Sequence, residues 1–240
     1  MELQILDPFE DYDTAGYLHN FHQEKDLLVV GHLETAAFEQ EILGTVRFLR
    51  MQSVLEYQHI TETHRRLFDS IYPWAGQDRS ITAPNIAIVK AGYKTLFAHP
   101  GDCERAAQYA LHLCRDTAHL RAHPGEVFGY LAHAHPFLEG NGRTILTIFA
   151  ELTRRSGFYV EWEAIEKKQF LDTLTSELLQ PGKSIMDALV LPYVRDGVLS
   201  ADVTARRLKV NFKQNQATAP ASEAVSSANL PPTGTQKADA

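Results

Sequence analysis

Cysteine is scarce in this chain of 240 residues: Cys103 and Cys114 are the only two, and they do not form a CxxC pair. A disulfide framework and a cysteine-based zinc site are therefore not expected. The chain also lacks any uncharged apolar run near the roughly 18 residues that a membrane-spanning helix needs. Because no basic segment followed by an apolar one opens the sequence, no signal peptide is expected either. These absences predict a cytoplasmic protein without a membrane span.

Positive charge is in deficit as well. Lys and Arg number 23 against 30 Asp and Glu, which gives a formal net charge of −7. A chain-wide basic surface for nucleic acid or anionic lipid is thus excluded, and direct binding of nucleic acid is not expected. A ligand that carries phosphate groups would have to be held by a compact local cluster of residues rather than by the overall field.

Apolar residues recur along most of the chain with the three- to four-residue period of amphipathic helices. The pattern predicts a mainly α-helical protein, with helices over 33–50, 57–71, 103–120, 143–156, 162–179 and 183–195 and another that begins at Pro124. Residues 79–97 alternate instead and carry turn signals, which predicts a short β-hairpin. Residues 217–240 contain no aromatic residue, so we expect a folded domain over 1–212 and a disordered tail or linker over 213–240.

The chemistry is concentrated in nine consecutive residues, His135 to Arg143. Gly140 and Gly142 leave backbone N–H groups uncovered where a new helix begins, and such a helix N-terminus attracts an anion. Arg143 adds a cationic fork for phosphate oxygens. Glu139 is a hard oxygen ligand suited to Mg²⁺, and His135 is the group best placed to act as a general base near neutral pH. The combination predicts phosphoryl or nucleotidyl transfer.

One alternative uses a neighbouring histidine. His133 stands two residues before His135, and an HxH…E pattern with Glu139 is compatible with a zinc cluster. A histidine in such a position is more often a packing or hydrogen-bonding residue.

Three segments resemble a known family. The stretch His135–Arg143, HPFLEGNGR, resembles the HxFx(D/E)GNGR signature of the Fic (filamentation induced by cyclic AMP) family. Tyr72–Gly76 followed by Arg79 is similar to the YPWAG-x-x-R segment that precedes the active-site flap in many members. Residues Tyr12–Leu18 resemble the N-terminal segment of stand-alone Fic toxins. The likeness covers more than half of the chain and implies a Fic-type helical bundle with a small β-hairpin flap.

The resemblance implies that AMP is transferred from ATP, with Mg²⁺, to a Tyr, Ser or Thr hydroxyl of a target protein. It implies that His135 deprotonates this hydroxyl and that Glu139 holds the metal ion. The other residues of the loop would position it or bind phosphate: Pro136 and Phe137 as positioning residues, Gly140, Asn141 and Gly142 as the anion hole, and Arg143 at the distal phosphates.

The resemblance also gives the predicted hairpin a function. Residues 79–97 would form the flap, whose backbone edge aligns the target segment by strand addition. The flap residues expected to contribute are Arg79, Ile81, Ile86 and Lys90.

Leu146 departs from the family signature, which continues as GNGRxxR. An arginine there would supply charge for the γ-phosphate and a partner for the inhibitory glutamate of the family, whereas leucine has neither charge nor donors. Three interpretations stay open: fewer contacts to the distal phosphates of ATP, a different donor for UMP, phosphate or phosphocholine transfer, or a catalytically weakened nucleotide-binding regulatory module. If the leucine is a defect, Leu146→Arg is expected to increase labelling.

One further segment concerns inhibition of the predicted activity. Thr35–Gln40 matches the family's inhibitory pattern (S/T)xxxE(G/N) except at its last position, and ordinary helix residues are the favoured interpretation. A chain without an internal inhibitory segment resembles members that are silenced by a small antitoxin protein. The expected partners are therefore a target protein and an antitoxin, and the resemblance implies a bacterial toxin or an effector domain delivered into a host cell.

Overall fold

Helices dominate the structure, a computed structural model that describes residues 8–9, 17–89, 93, 95–214 and 224–225. The helices are α1 (Leu27–Met51), α2 (Tyr57–Phe68), α3 (Arg79–Thr82), α4 (Cys103–Leu113), α5 (Thr117–Ala122), α6 (Pro124–Ala134), α7 (Asn141–Arg155), α8 (Lys167–Leu179), α9 (Ile185–Val190) and α10 (Ala201–Gln214). Short strands are β1 (Ile88–Val89), β2 (Phe158–Val160), β3 (Val194–Asp196) and β4 (Ala224–Val225). Single 3₁₀ turns lie at Pro100–Asp102, Trp162–Ala164 and Leu191–Tyr193. The mainly α-helical fold class is confirmed.

Helix α1 shows how capping extends a predicted helix. It begins at Leu27, six residues before the predicted start at 33, because the Asp26 side chain accepts a hydrogen bond from the Leu28 N–H at 2.9 Å. Phe38 and Ile42 on its inner face are fully buried. This apolar face places α1 against α2, α7 and α10.

Two central helices set the position of the connecting loop between them. Helix α6 packs against α4 and α9, while α7 packs against α1 and α2. Aromatic rings fill the space beside them: Phe128 of α6 meets Phe149 of α7 edge-on, with ring centroids 5.3 Å apart. Residues 135–140, which join α6 to α7, therefore lie where most of the core helices converge.

Capping and proline explain where the predicted helices break. The range 103–120 divides into α4 and α5 because Asp116 accepts hydrogen bonds from the N–H groups of Ala118 and His119 and so begins a new helix. The range 162–179 begins as a 3₁₀ turn, and α8 itself begins after Glu166, which caps it in the same way. Helix α9 ends just before Pro192, and residues 194–196 pair with β2 in an antiparallel sheet.

The hairpin predicted over 79–97 is wrong in its first part. Residues 79–82 form the short helix α3, because Asp78 caps it through the Ser80 N–H at 2.9 Å. Strand β1 pairs antiparallel with β4, with Ile88 opposite Val225, and residues 90–92 and 94 of the predicted hairpin lie outside the described residues. The edge of β1 thus takes up an extended segment from far along the chain.

The predicted boundaries are tested only in part. Helix α10 was not predicted, and it continues to Gln214, two residues past the expected end of the domain at 212. Most of the expected tail, and residues 12–16 of the third family-like segment, lie outside the described residues. Within the described ranges, the helices are too short or too polar to cross a bilayer.

Candidate active site

The loop from His135 to Gly140 begins with a strained residue. His135 adopts the left-handed conformation, with φ 39° and ψ 58°, and this ends α6 abruptly. Its side chain is 3% exposed, and its ring stacks on Phe97 with centroids 3.7 Å apart. The imidazole of the predicted base is therefore held in one orientation by the backbone turn and by an aromatic neighbour.

Arg79 supplies the restraint that keeps this turn in place. Its backbone N–H donates to the Pro136 carbonyl at 2.7 Å, and its Nε donates to the His135 carbonyl at 2.8 Å. Nη2 donates to the Ala98 carbonyl at 2.7 Å. Burial lowers the pKa of this arginine, which is only 1% exposed, although Cys103 beside it has the opposite effect. Arg79 was expected in the flap, but in the structure it is an internal clamp on the loop of residues 135–140.

A second clamp closes the loop from the other side. The Asn141 side chain donates through Nδ2 to the Phe137 carbonyl at 2.7 Å and accepts through Oδ1 from the Phe137 N–H at 2.9 Å. The amide of Asn141 is thus used to fix the loop, and only its backbone N–H is left as a candidate donor to an anion. Phe137 is fully buried, as expected for a positioning residue.

His64 in α2 holds the loop from below and was missed by sequence reasoning. Its ring stacks on Phe137 with centroids 3.8 Å apart. Its Nδ1 accepts from the Gly76 N–H at 2.8 Å, so Nε2 carries the proton and donates to the Glu139 carbonyl at 3.0 Å. Burial lowers the pKa of this imidazole to about 3, so it stays neutral at physiological pH. His64 therefore connects Gly76 of the YPWAG segment to Glu139 of the loop of residues 135–140.

The N-terminus of α7 opens toward solvent where the sequence predicted an anion site. Gly140 is its N-cap, with φ 80°, and within the described part of the chain no side chain caps the helix. A Cβ at Gly140 would lie 2.6 Å from the Phe68 ring, so only glycine fits there. Gly142 is exposed, and a Cβ at that position would meet nothing within 4 Å. The first turn of α7 is thus exposed at Gly142 and has no side-chain cap, which suits the binding of an anion.

Two charged side chains flank this opening. The Glu139 carboxylate is 42% exposed and accepts from the Gly140 N–H at 2.8 Å. The Arg143 guanidinium lies 3.6 Å from it and over the Phe68 ring at 4.7 Å. Arg143 also donates to Glu34 of α1 at 2.6 Å. Burial alone would lower the pKa of Arg143, but the two carboxylates outweigh this effect and raise it, so the arginine stays charged.

The possible metal ligands are divided between two places. Among the described residues, the only three-residue cluster able to surround an ion consists of His123, Glu126 and Asp187, whose ligand atoms lie within 4.8 Å of one another. Asp187 there accepts from the N–H groups of Gly125 and Glu126, so it caps α6. That cluster does not include any residue of the loop 135–140. Glu139 is therefore a single carboxylate at the N-terminal end of α7.

The histidine-based zinc alternative receives no support from the geometry. His133 is hydrogen-bonded through Nδ1 to the Leu96 carbonyl at 2.8 Å, and its own carbonyl accepts from the Ala98 N–H at 2.8 Å. It therefore holds residues 96–98 against the end of α6, which is the structural function expected of most such histidines.

The remaining predicted residues are dispersed. Ile81 is 52% exposed, Ile86 packs against the main core, and Lys90 lies outside the described residues. Leu146 is 4% exposed and belongs to the main apolar core, which gives it a packing function that the signature comparison did not anticipate. The glutamate that reaches the site from α1 is Glu34 rather than Glu39 of the inhibitory-like segment.

Comparison with known proteins agrees with this geometry. Residues 54–153, which include α2, the loop and most of α7, match the model of the Fic/DOC family. The match confirms the resemblance seen in the two better-defined motifs of the sequence.

Curated relatives of the chain carry related names. Protein adenylyltransferase VbhT of Bartonella schoenbuchensis is 30% identical over 198 residues, which are 77% of this chain and 38% of that protein. Probable protein adenylyltransferase y4lH of Sinorhizobium fredii is 36% identical over 130 residues, or 50% of this chain and 64% of that one. The chain thus spans less than two thirds of the length of either relative.

Solved structures share the fold of this chain. The N-terminal Fic domain of a VirB-translocated Bep effector protein from Bartonella quintana superposes with a TM-score of 0.64 at 21% identity, covering 80% of this chain and 96% of that one. BepC from Bartonella tribocorum gives a TM-score of 0.63 at 18% identity, covering 79% and 98%. At these identities the likeness concerns the fold alone.

Proposed function

We propose that the protein transfers AMP from ATP to a hydroxyl side chain of a target protein, with residues 135–143 as the reaction centre. The observation that carries this proposal is the start of α7, where no side chain caps the helix within the described residues and the charged Arg143 lies 3.6 Å from the part-exposed Glu139 carboxylate, directly after the loop that begins at the strained His135. Support comes from the curated relatives named protein adenylyltransferase and from fold neighbours described with bound AMPPNP and ADP.

In the proposed reaction, His135 removes the proton from the incoming Tyr, Ser or Thr hydroxyl, and the oxygen attacks the α-phosphorus of ATP. The bond from this phosphorus to the bridging oxygen breaks, and pyrophosphate leaves. The N–H groups of the first turn of α7 stabilise charge on the phosphoryl oxygens, and Arg143 neutralises the distal phosphates. The clamps by Arg79 and Asn141 matter because the donors must be in place before the reaction begins.

Glu139 would hold Mg²⁺ in this proposal. Its carboxylate is half-exposed at the open end of α7, and Mg²⁺ in nucleotide sites is usually held by one or two carboxylates together with substrate phosphates. A single carboxylate therefore fits this metal better than it fits zinc, which prefers a closed set of ligands. When bound, the ion would offset negative charge on the phosphates.

Target docking is proposed at the edge of β1. Strand β1 pairs antiparallel with β4 of the same chain, so its edge accepts an extended segment by main-chain hydrogen bonds. A target segment that adds to this edge would compete with β4. The cytoplasmic location stays a prediction from the composition of the sequence, and the antitoxin partner and delivery into a host cell stay predictions from the resemblance.

The test is label transfer from α-labelled ATP with Mg²⁺ to proteins of a cell lysate. His135→Ala is expected to lower the rate by a factor of about 10² to 10⁴, the range that a general base contributes. His112→Ala, an exposed histidine on α4, is the matched control and should label like wild type. Equal labelling by His135→Ala and wild type would refute the assigned base. Excess unlabelled ATP, but not UTP or CDP-choline, should suppress the signal.

A further inference from the structure

A buried polar chain connects α1 to the candidate phosphate site. Glu34 is 7% exposed, and both of its carboxylate oxygens are in use. Oε1 accepts a hydrogen bond from the Tyr72 hydroxyl, and Oε2 accepts from Nη2 of Arg143 at 2.6 Å. Tyr72 is 2% exposed, and its ring stacks on Trp74 with centroids 4.3 Å apart. The first residue of the YPWAG segment therefore orients a glutamate that in turn holds the arginine.

Glu34 is poorly suited to release Arg143 when a nucleotide arrives. A carboxylate this buried would lose its ionic partner and keep its charge, and an unpaired buried charge costs several kcal/mol. Helix α1 cannot move aside easily either, because its Phe38, Ile42 and Leu49 are fully buried in the main core. The pair therefore behaves as a fixed support rather than as a displaceable inhibitor.

The contact leaves part of the guanidinium for a ligand. Within the described part of the chain, the hydrogen bond and ion pairs seen for the Arg143 guanidinium all involve Nη2. Its Nε and Nη1 are thus directed by the Glu34 contact but not consumed by it. Without the Glu34 charge, the nearest carboxylate would be Glu139, 3.6 Å away, and the guanidinium would turn toward the residue proposed to hold the metal.

We infer that Glu34 is a positioning residue for Arg143, and that Tyr72 fixes Glu34 in turn. The inference rests on the proposed function only in taking the ligand of Arg143 to be the distal phosphates of a nucleotide. It assigns to α1, outside the segment that matches the family, a specific part in phosphate recognition.

The test compares the Kd of ATP with that of AMP, both with Mg²⁺, by calorimetry on the full chain. Glu34→Gln keeps the side-chain volume and removes the charge. We expect it to weaken ATP binding about tenfold, as for loss of a charge-assisted hydrogen bond, and to leave AMP binding within about twofold. Tyr72→Phe keeps the stack on Trp74 and should show the same selectivity for ATP with a smaller effect.

The matched control is Glu151→Gln. Glu151 is likewise buried and paired with arginines, but at the opposite end of α7, so this variant should lower stability without changing the ratio of the two Kd values. The decisive arm is a double-mutant cycle: in an Arg143→Ala background, Glu34→Gln should have no further effect on that ratio.

Three outcomes would overturn the inference. Equal loss of ATP and AMP binding in Glu34→Gln would make Glu34 merely structural, and tighter ATP binding would make it a competitor of the phosphates. A wild-type protein that binds ATP no more tightly than AMP would also refute it. If instead the ratio changes as expected while no AMP is transferred to any protein, the inference holds and the proposed reaction fails.

Discussion

A buried glutamate pairs with arginine at each end of helix α7, Glu34 of α1 at the N-terminal end and Glu151 at the C-terminal end, yet the two ends differ in what they leave open. At the C-terminal end, Glu151 is 3% exposed and accepts from Arg154 and Arg155 at 2.7–2.8 Å. Arg155 also donates to three backbone carbonyls around the end of α1, at 2.7–3.0 Å. Every one of these interactions ends on another protein atom, so this end serves stability.

The N-terminal end uses the same components and keeps some of them available. Arg143 is held by Glu34 through one nitrogen, and the first turn of α7 is exposed at Gly142 with no side chain capping it within the described residues. The dipole also favours an anion at this end and not at the other. A buried ion pair thus becomes part of a binding site only where donors remain that the protein does not satisfy itself.

The largest expected effect comes from placing a charged side chain in α7 between its two ends. If Leu146 is a defect of the site, the family signature predicts that Leu146→Arg increases labelling. Because Leu146 is 4% exposed within the main core, we now expect it to lower the free energy of unfolding by about 4 kcal/mol through an unpaired buried charge. Urea denaturation followed by circular dichroism measures this loss.

Leu146→Met provides the matched control for that variant. It keeps the volume and apolar character of the side chain, so it should cost less than about 1.5 kcal/mol. A folded Leu146→Arg variant as stable as wild type, with increased transfer of AMP, would show instead that the position opens into the nucleotide site.

The order of these residues along the chain explains how much could be predicted. The helical period and the chemistry of His135, Glu139 and Gly140 are local, so the sequence shows them directly. Capping residues moved the helix ends, as Asp26 did for α1 and Asp116 for the break after α4. Helix α10, which packs along α1, was not predicted.

The supports of the site could not be predicted in the same way, because they act over long distances in sequence. Arg79 reaches the His135 carbonyl across 56 residues, His64 reaches Glu139 across 75, and Glu34 reaches Arg143 across 109. None of them follows from periodicity or spacing. The signature motif identifies the groups that meet the ligand, whereas tertiary contacts decide which side chains hold those groups in place.

The two glycines that flank α7 compare its two ends again, through substitutions with an intermediate expected effect on stability. Gly140 and Gly157 both have φ near 80°, but a Cβ at Gly140 would lie 2.6 Å from Phe68, whereas one at Gly157 would meet nothing within 4 Å. Gly157→Ala should therefore cost only the left-handed strain, about 1 kcal/mol. Gly140→Ala adds a steric clash and should cost about 3 kcal/mol in total.

Thermal unfolding of the two glycine variants side by side gives this difference directly. Gly140→Ala should also abolish transfer of AMP, since the displaced loop carries His135 and Glu139, while Gly157→Ala should keep it. Equal destabilisation by the two substitutions would mean that the contact with Phe68 does not constrain the loop.

The smallest effect on stability is expected at Gly142, where a substitution separates stability from ligand binding. Gly142 is exposed and has a helical backbone, so Gly142→Ala removes no contact and should raise stability by up to about 1 kcal/mol through helix propensity. If a phosphate sits against the N–H groups of this turn, however, the added methyl group narrows its approach, and ATP binding should weaken several-fold. Opposite signs for stability and affinity are the signature of a residue kept for a ligand and not for the fold. A variant that is more stable and binds ATP as wild type does would place the phosphates away from this turn, and would leave Arg143 as the main anchor of the nucleotide.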